Sequence, residues 1–341
     1  MSSAESFNAW VVREDTGTAS DKKHYQLNFE SRSVSDLPDG EVRIRVTHSS
    51  VNYKDALSAQ GNPGVTRVFP HTPGIDAVGE VLSDSTGVFA AGDEVIVTGY
   101  DLGMNTAGGF GEIIQVPANW VVSKPTALTA LQSMAVGTAG LTAAWCVEKL
   151  LHNGLTPSDG PVLVTGASGG VGSVAVNLLA DLGFEVHAMS GSDAAKSMLA
   201  SLGASEIVSR QHLEEGLKKP MLKEVWAAAV DCVGGDTLFQ VVKSLKYGGS
   251  VACCGLVAGP AMSQATVFPF ILRGVNLLGV DSVNVPLADK QALWNKLATE
   301  WTLSGLSQLT HTIGPADIPD TLQKIQKGET LGRYVLDWSQ G

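Results

Sequence analysis

Between residues 1 and 135, short runs of alternating hydrophobic and polar positions recur, which is the pattern of half-buried β-strands. Turn-forming clusters, such as Pro38–Gly40 and Ala91–Asp93, separate these runs. The alternation predicts strands over Glu41–Thr47, Ala77–Leu82, Asp93–Val97 and Glu112–Val116. This first part of the chain is therefore predicted to be a small, irregular β-barrel.

The pattern changes at Met134, after which segments of strand and helix character alternate. Thr138–Leu151 has the period of a helix, and Asp193–Leu202 is a second predicted helix with Ser192 or Asp193 as its cap. Six short apolar runs predict strands over Pro161–Val164, Glu185–Met189, Glu206–Ser209, Trp226–Cys232, Gly249–Cys254 and Asn276–Val280. Strands alternating with helices in this number predict a doubly wound parallel sheet, and hence the α/β fold class.

The C-terminal tail lies beyond this six-strand count. Its pattern predicts helices over Asp289–Thr302 and near Asp317–Gln326, followed by a strand over Gly332–Trp338. Because the parallel sheet is already complete, we expect the tail to return to the first domain. The predicted domains are residues 1–135 together with 286–341, and residues 136–285.

Composition and charge narrow the class of protein. The chain has 341 residues, of which 44% are hydrophobic and 17% charged, which suits two folded domains with full cores. The net charge of −11 argues against nucleic acid or an anionic membrane as a partner. No uninterrupted apolar run reaches the roughly 18 residues of a membrane helix. The first seven residues lack a basic end and an apolar signal core, so a cytoplasmic location is expected.

The four cysteines are Cys146, Cys232, Cys253 and Cys254. No two of them have the C-x-x-C spacing of a zinc ribbon or a thioredoxin-like site. Because they lie in or beside apolar stretches, they are predicted to be buried, inert thiols.

A glycine-dense turn in Val162–Ser173 is the strongest chemical signal in the chain. A strand-like run enters it, a small-residue helical pattern leaves it, and a second strand follows. Glycines let a pyrophosphate approach the backbone, and the free N–H groups of the helix start face the anion. The turn predicts a dinucleotide site formed by Thr165, Ala167, Ser168, Gly169, Gly170, Val171 and Gly172.

The residues after the second predicted strand indicate which dinucleotide is bound. NAD sites usually place Asp or Glu there for the ribose diol, whereas this chain has Ser190, Gly191 and Ser192. Hydroxyls suit a 2′-phosphate, and Lys196 and Arg210 follow as candidate cationic partners. These five residues predict NADPH; the nearby Asp193 is a minor argument against it. The alternative is that Ser192 only caps a helix and Arg210 is solvated.

Several motifs together resemble one family. They are Ser49–Leu57, Pro73–Gly79, Gly137–Ala143, Val164–Gly172, and Phe268–Asn276 followed by Gly279–Val283. Over almost its whole length the chain resembles the zinc-independent, quinone oxidoreductase-like branch of the medium-chain dehydrogenases/reductases, and within it the acryloyl-CoA reductase (YhdH-like) group. The resemblance implies a discontinuous GroES-like catalytic domain, an inserted Rossmann domain and a homodimer. Zinc-dependent members carry Cys near residue 50 and Gly-His-Glu near residue 75, which are absent here, so no metal is expected.

The resemblance also implies a reaction and the residues that perform it. The reaction is NADPH-dependent hydride transfer to C3 of acryloyl-CoA, giving propanoyl-CoA without a metal. Tyr53 or a water is predicted to supply the proton. Alternatively, Tyr53 hydrogen-bonds the carboxamide or ribose of the cofactor, or is only a packed aromatic. Asn52 is predicted to orient substrate or nicotinamide. Asp55 is predicted to hold the loop or to pair with Lys54. From the resemblance alone, cofactor contacts are expected at Leu256, Ile271, Ser282 and Arg333.

Two other functions stay open on the sequence. An NADPH:quinone oxidoreductase shares fold and cofactor, and this acidic chain offers few basic clusters for the phosphates of coenzyme A. A non-catalytic dinucleotide sensor or structural protein would keep the glycine turn, but it would not need the group Asn52–Asp55. The edge strand predicted at Asn276–Val280 is a candidate to extend the sheet of a partner subunit.

Overall fold

A computed structural model gives the structure of residues 6–15, 23–214 and 216–340. The expectation that the chain starts without a signal core rests on the first seven residues, and residues 1–5 of these lie outside the described range. The strands in it are β1 Ser6–Asp15, β2 His24–Ser33, β3 Val42–Val51, β4 Asp76–Asp84, β5 Glu94–Thr98, β6 Ile113–Val116, β7 Val121–Ser123, β8 Val162–Thr165, β9 Val186–Met189, β10 Ala204–Val208, β11 Trp226–Asp231, β12 Leu245–Cys253, β13 Asn276–Gly279, β14 Thr310–Ile313 and β15 Arg333–Asp337. The helices are α1 Tyr53–Ala59, α2 Ala130–His152, α3 Gly170–Asp181, α4 Lys196–Ser201, α5 Gln211–Glu214, α6 Gly235–Ser244, α7 Phe268–Arg273, α8 Leu287–Thr299, α9 Leu306–Leu309 and α10 Ile318–Lys327.

The chain divides into two units, each described here by itself. Unit 1 comprises residues 1–138, 283–295 and 310–341, and unit 2 comprises residues 139–282 and 296–309. The domain boundaries at 135/136 and 285/286 stay a prediction.

Unit 1 is built on one mixed sheet in the order β14-β15-β3-β4-β5-β7, with β6 also paired to β3. Alternate residues of β3, including Val42, Ile44 and Val46, are buried in its core. The C-terminal strand β15 pairs antiparallel with β3, which places Tyr334 opposite Val51. The C-terminal strand therefore belongs to the same sheet as strands from the first part of the chain. Strands β1 and β2 form a separate antiparallel ladder, which the sequence analysis did not predict.

Unit 2 contains a six-stranded sheet in the order β10-β9-β8-β11-β12-β13, in which every pair is parallel. This is the doubly wound order, so the prediction of a doubly wound parallel sheet is confirmed. The order reverses between β8 and β11, and the glycine turn leaves β8 at that point. In open α/β sheets this is where ligands bind.

Helix α2 departs from its prediction. It begins at Ala130, eight residues before the predicted start, and contains one non-helical residue, Gly137 (φ 50°, ψ −160°). The glycine interrupts the helical period, which hides the first turns from a pattern analysis. By length and composition α2 is apolar enough to cross a membrane, but 72% of its apolar window is buried within the fold.

Candidate active site

The glycine turn holds strand β8 and helix α3 in close contact. A Cβ on Gly172 would lie 2.3 Å from the carbonyl oxygen of Gly166 and 2.7 Å from the Cα of Ala167. Both neighbours are backbone atoms, so a side chain at residue 172 would push the helix start away from the turn. The first N–H groups of α3 have no partner within the helix and carry its positive dipole end. These are the features by which helix N-termini bind anions.

The residues predicted to bind the cofactor at this turn divide into two sets. Thr165 and Ala167 are fully buried: the Thr165 hydroxyl donates to the Asp231 carboxylate (2.7 Å), and the Ala167 N–H donates to the Met189 carbonyl (3.1 Å). Ser168, Gly169, Gly170 and Val171 are at least partly exposed. The buried set shapes the turn, and the exposed set is the part that a ligand can reach.

A second polar cluster lies where strand β9 ends. The Ser190 hydroxyl donates to Ser168 (3.1 Å) and accepts from the backbone N–H of Ser192 (3.2 Å). The guanidinium of Arg210 lies against Gly191, because a Cβ there would meet Arg210 Cζ at 3.0 Å. The structure therefore brings Ser190, Gly191, Ser192 and Arg210 together beside the phosphate turn. Lys196 differs, since its ammonium pairs with Asp193 at 2.8 Å and both side chains are exposed.

The three cofactor contacts that the resemblance implies in unit 2 are at Leu256, Ile271 and Ser282, and they differ in exposure and hydrogen bonding. Leu256 and Ile271 are 67% and 69% exposed, which is unusual for aliphatic side chains of this size. The Ser282 hydroxyl accepts a hydrogen bond of 2.7 Å from Thr142. All three positions stay predictions.

In unit 1, helix α1 begins within the group Asn52–Asp55. Tyr53 is its first residue and is 51% exposed, and its hydroxyl has no hydrogen-bond partner among the described residues. Asp55 is fully buried, and its carboxylate accepts from the N–H groups of Asn52 (2.7 Å), Gly74 (3.2 Å) and Ile75 (2.9 Å). Asp55 therefore ties α1 to the loop before β4 and is not paired with Lys54.

The Asn52 amide lies inside a buried polar network. Its nitrogen donates to Asp76 (3.0 Å) and to the carbonyl (3.3 Å) and hydroxyl (3.1 Å) of Ser50. Its oxygen accepts from Arg333 Nη1 at 3.3 Å. Because these contacts use both amide hydrogens, a direct bond from Asn52 to a substrate oxygen requires one of them to open. In this arrangement the role of Asn52 is to hold the Arg333 guanidinium in place.

Arg333 is 2% exposed and is held by backbone as well as by side chains. Its Nε donates to the Ala135 carbonyl at 2.8 Å, while Nη2 is buried without a partner among the described residues. Burial lowers the pKa of Arg333, and the carboxylates of Asp76 and Asp55 oppose this effect. The guanidinium is therefore a buried cation in which Nη2, with no partner in the described part of the chain, still has N–H groups free to donate. Because the guanidinium is planar and its donors have fixed directions, it can orient a ligand or a neighbouring side chain.

Asp76 and Gly137 complete this network, and the sequence analysis did not predict a role for either residue. The Asp76 carboxylate accepts from Ser50 Oγ, from Thr138 Oγ1 and from the Thr138 N–H (2.8 Å). A Cβ on Gly137 would lie 2.6 Å from Ser50 Oγ and 2.7 Å from Asp76 Oδ2. The break in α2 thus lets a backbone N–H reach Asp76. The sequence held two signs of this contact: an acidic residue, Asp76, in an apolar stretch, and the pair Gly137-Thr138 within a helical pattern.

Burial raises the pKa of Asp55 from its usual 3.8 to about 7, even though three backbone N–H groups act in the opposite direction. Between pH 4 and 7 the folded protein then holds a proton that the unfolded chain has lost. We therefore expect the Asp55 contribution to the free energy of unfolding to fall as pH rises through this range and to level off above it. Urea titrations across that range should show a flatter pH dependence for Asp55→Asn; equal slopes in both proteins would contradict the assignment.

No group of three or more His, Cys, Asp or Glu side chains suited to a metal ion occurs within residues 6–15, 23–214 and 216–340. Asp76 lies in the region where zinc-dependent enzymes carry a ligand, and here its carboxylate is occupied by Ser50, Asn52 and Thr138.

Comparisons with known proteins agree with this architecture. Residues 38–126 match the family model described as "Alcohol dehydrogenase GroES-like domain", and residues 170–299 match "Zinc-binding dehydrogenase". Together with the parallel sheet of unit 2, these matches confirm the predicted fold class of a GroES-like domain with a Rossmann domain. The fold thus defines a dehydrogenase or reductase with two domains.

Three relatives resemble the chain over nearly its full length. Acrylyl-CoA reductase AcuI of Ruegeria pomeroyi is 44% identical over 97% of this chain and 99% of its own. The yhdH oxidoreductase of Salmonella enterica, solved in complex with NADP, has a TM-score of 0.92 at 40% identity, covering 97% of this chain and 99% of its own. Bacillus subtilis YhfP, described as a putative quinone oxidoreductase and solved with NAD bound, has a TM-score of 0.93 at 39% identity, covering 98% and 99%. The chain belongs to the medium-chain dehydrogenase/reductase family, in the group that contains AcuI, YhdH and YhfP.

Proposed function

We propose that this chain is an NADPH-dependent acryloyl-CoA reductase. One observation carries the proposal: 44% identity to a relative named as an acrylyl-CoA reductase, spread over almost the full length of both chains. The features described above agree with it, because unit 2 offers a turn suited to an anion, and unit 1 offers the exposed phenol of Tyr53, next in sequence to Asn52, which contacts the buried Arg333. The domain boundaries of the sequence analysis are retained as part of the proposal, with the catalytic residues in 1–135 and 286–341.

The residues of unit 2 fit NADPH. The close approach of Gly172 to Gly166 leaves room for a pyrophosphate at the helix start. Ser190, Ser192 and Arg210 form a polar and cationic group without a carboxylate at the end of β9, which suits a 2′-phosphate. Relatives of this group were solved with NADP and with NAD. We attribute the preference of this chain to the group Ser190, Ser192 and Arg210.

The preference for NADPH is expected to depend on Arg210. Replacing Arg210 with alanine should raise the KM for NADPH about tenfold and leave that for NADH nearly unchanged, because NADH lacks the 2′-phosphate. Steady-state kinetics with both cofactors measure the effect. Lys196→Ala is the matched control with a smaller expected effect, since Lys196 is paired with Asp193. Equal kcat/KM for the two cofactors in the unmodified enzyme would exclude the preference.

When bound, NADPH supplies the hydride that adds to C3 of the acryloyl group. The thioester oxygen then gains negative charge and C2 requires a proton. Tyr53 has an exposed phenol that either donates this proton or hydrogen-bonds the carboxamide or ribose of the cofactor. Asn52 and Arg333 form a hydrogen-bonded pair that fixes the start of α1, on which Tyr53 lies. Asp55 positions the same helix and contacts neither reactant.

Replacing Tyr53 with phenylalanine removes only the hydroxyl. If that hydroxyl donates the proton, kcat should fall at least about tenfold while the affinity for NADPH stays unchanged. If it binds the cofactor instead, the Kd for NADPH should rise. Tyr247→Phe, at a tyrosine that is 79% exposed, is the matched control. Unchanged kcat and unchanged Kd in Tyr53→Phe would leave no catalytic or binding role for this hydroxyl.

The second candidate is an NADPH:quinone oxidoreductase, which the name of the relative YhfP favours. Following NADPH oxidation with acryloyl-CoA, and separately with a naphthoquinone, distinguishes the two. We expect kcat/KM to be much larger with acryloyl-CoA. A larger value with the quinone would support the second candidate, and activity with neither would support a dinucleotide sensor.

The proposal includes a homodimer and a cytoplasmic location. Strand β13 is last in the order of the unit 2 sheet, so the proposal uses its outer edge for pairing with a second copy. Sedimentation of the purified protein as a monomer would exclude the dimer. The acidic net charge supports the expectation that neither nucleic acid nor membrane is a partner.

A further inference from the structure

Two cysteines meet at the carboxyl ends of neighbouring strands in unit 2. Strands β11 and β12 are parallel, with Asp231 opposite Cys253, so that Cys232 and Cys254 are the next residues of each strand. The N–H of Cys254 donates to the Asp231 carbonyl at 3.0 Å, which continues the ladder to this position. Register alone therefore places the two thiols side by side.

Their geometry is close to that of a disulfide. The two Sγ atoms are 3.9 Å apart. Neighbouring strands are separated by about 4.8 Å, which lies within the Cα separation that a disulfide accepts. Cys232 and Cys254 are both half-buried, whereas Cys146, the third thiol beside Cys254, is fully buried. The prediction of burial is therefore confirmed for Cys146 and wrong for Cys232, Cys253 and Cys254, which are half-buried. The prediction that these thiols are inert stays a prediction.

Among Cys146, Cys232 and Cys254, only Cys254 has a lowered pKa. The thiols of Cys146 and Cys232 both face the Cys254 sulfur and lower the pKa of Cys254, while burial opposes this. The pKa values of Cys146 and Cys232 are raised by the same neighbour and by burial. Cys254 is thus the first of the three to become a thiolate, which is the form that reacts with oxidants.

The pair also lies against the backbone of the dinucleotide turn. A Cβ on Gly166 would lie 3.4 Å from the Cβ of Cys232, and a Cβ on Gly255 would lie 1.9 Å from the Cys232 carbonyl oxygen. Gly255 follows Cys254 directly and leads to Leu256. A bond between the two sulfurs would therefore form directly against backbone that packs on the turn.

We propose that Cys232 and Cys254 are a peroxide-sensitive dithiol that forms a reversible disulfide within one chain. The Cys254 thiolate attacks one oxygen of hydrogen peroxide, the O–O bond breaks, and protonation of the leaving oxygen gives water and a sulfenic acid at Cys254. The Cys232 sulfur then attacks Cys254, an S–S bond forms and a second water leaves. Two electrons pass from the two sulfurs to the peroxide, and a dithiol reductant returns them.

The disulfide is expected to weaken NADPH binding severalfold, a consequence that rests on the proposed cofactor site. It joins the ends of β11 and β12, of which the first packs through Cys232 against Gly166 of the turn and the second leads into Gly255. In the opposite direction, bound NADPH should slow the oxidation, because a ligand that favours the reduced arrangement opposes its change.

Counting free thiols after peroxide treatment tests the dithiol without reference to activity. The four thiols should fall to about two, and mass spectrometry should show one peptide pair joined through Cys232 and Cys254. Cys232→Ser and Cys254→Ser should each abolish the joined pair. Cys253→Ala, on the opposite face of β12, should leave it intact. Four remaining thiols, a pair that includes Cys146 or Cys253, or sulfonic acid at Cys254 without a disulfide would each overturn the proposal.

Measuring the Kd for NADPH on oxidised, re-reduced and untreated protein tests the consequence. Oxidised protein should bind NADPH severalfold more weakly, and dithiothreitol should restore the original Kd. Far-UV circular dichroism and thermal melts of each form establish that the protein stays folded. A disulfide that forms while NADPH binding is unchanged refutes the coupling alone; absence of NADPH binding in untreated protein refutes the proposed function and leaves the dithiol unaffected.

Discussion

Replacing Gly172 with valine is expected to raise the Kd for NADPH about 100-fold or more, which corresponds to about 2.7 kcal/mol of binding free energy. A Cβ at this position would lie 2.3 Å from the Gly166 carbonyl oxygen and 2.7 Å from the Ala167 Cα. Neither backbone atom can rotate away as a side chain end would. The start of α3 must then move, and its N–H groups lose their alignment on the pyrophosphate. Titration of NADPH fluorescence on the purified variant measures the effect.

Gly111→Ala is the control for Gly172→Ala, since Gly111 lies in unit 1 and a Cβ there would meet its nearest atoms at 3.4 Å, an ordinary van der Waals contact. Its Kd should equal that of the unmodified protein. If Gly172→Val does not fold, Gly172→Ala has the same two backbone contacts with less bulk and should still weaken binding. An unchanged Kd in a folded Gly172→Ala protein would show that the turn does not hold the cofactor as described.

The second large effect is expected at Arg333. Replacing it with methionine removes the cation beside two buried carboxylates, Asp55 and Asp76, and leaves the Ala135 carbonyl and the Asn52 oxygen without their donor. Removing one charge from a buried group of opposite charges leaves the others uncompensated, which in buried ion pairs costs about 3–5 kcal/mol of unfolding free energy. Since domains have about 5–15 kcal/mol in total, the variant should be severely destabilised. Urea denaturation measures the change.

Arg13→Met provides the comparison, because Arg13 forms a two-bond pair with Glu30 at the surface (2.7 Å for each bond). Exposed pairs contribute at most about 1 kcal/mol, so this variant should lose little stability. Asp76→Asn combined with Arg333→Met should recover part of the loss, since the double variant buries one fewer unpaired charge. Similar losses for Arg13→Met and Arg333→Met would contradict the buried network.

Local features of the site were predictable from the sequence. Strand β8, the glycine turn and helix α3 lie within twenty residues, and each has its own pattern: apolar run, glycines, small-residue helix. The cluster of Ser190 and Arg210 was predicted for the same reason, because residues that follow parallel strands meet at one edge of the sheet. The group Asn52–Asp55 was also identified, as a motif.

The connections between distant residues were not predictable. Arg333 and Asn52 are 281 residues apart, and their contact depends on β15 pairing with β3. No local pattern reports that pairing. The break at Gly137 was missed for a different reason, since its function is to leave space for Ser50 and Asp76. The pairing of Cys232 with Cys254 likewise follows from strand register, which periodicity does not determine.

The first strands were missed although they carried a signal. Burial alternates in the first part of β1, where Phe7 and Ala9 are buried, Ser6 and Asn8 are exposed, and Trp10 is half-buried. Strand β2 has no fully buried residue, and a strand of this kind is specified by its partner more than by its own sequence.

The central claim is that hydride passes from NADPH to C3 of acryloyl-CoA. Preparing NADPH with deuterium at the 4-position of the nicotinamide, in each stereochemical form separately, and analysing the propanoyl-CoA by NMR tests it directly. The account predicts one deuterium at C3 of the product from one of the two forms, and solvent hydrogen at C2. Deuterium at C2, or NADPH oxidation without formation of propanoyl-CoA, would contradict it.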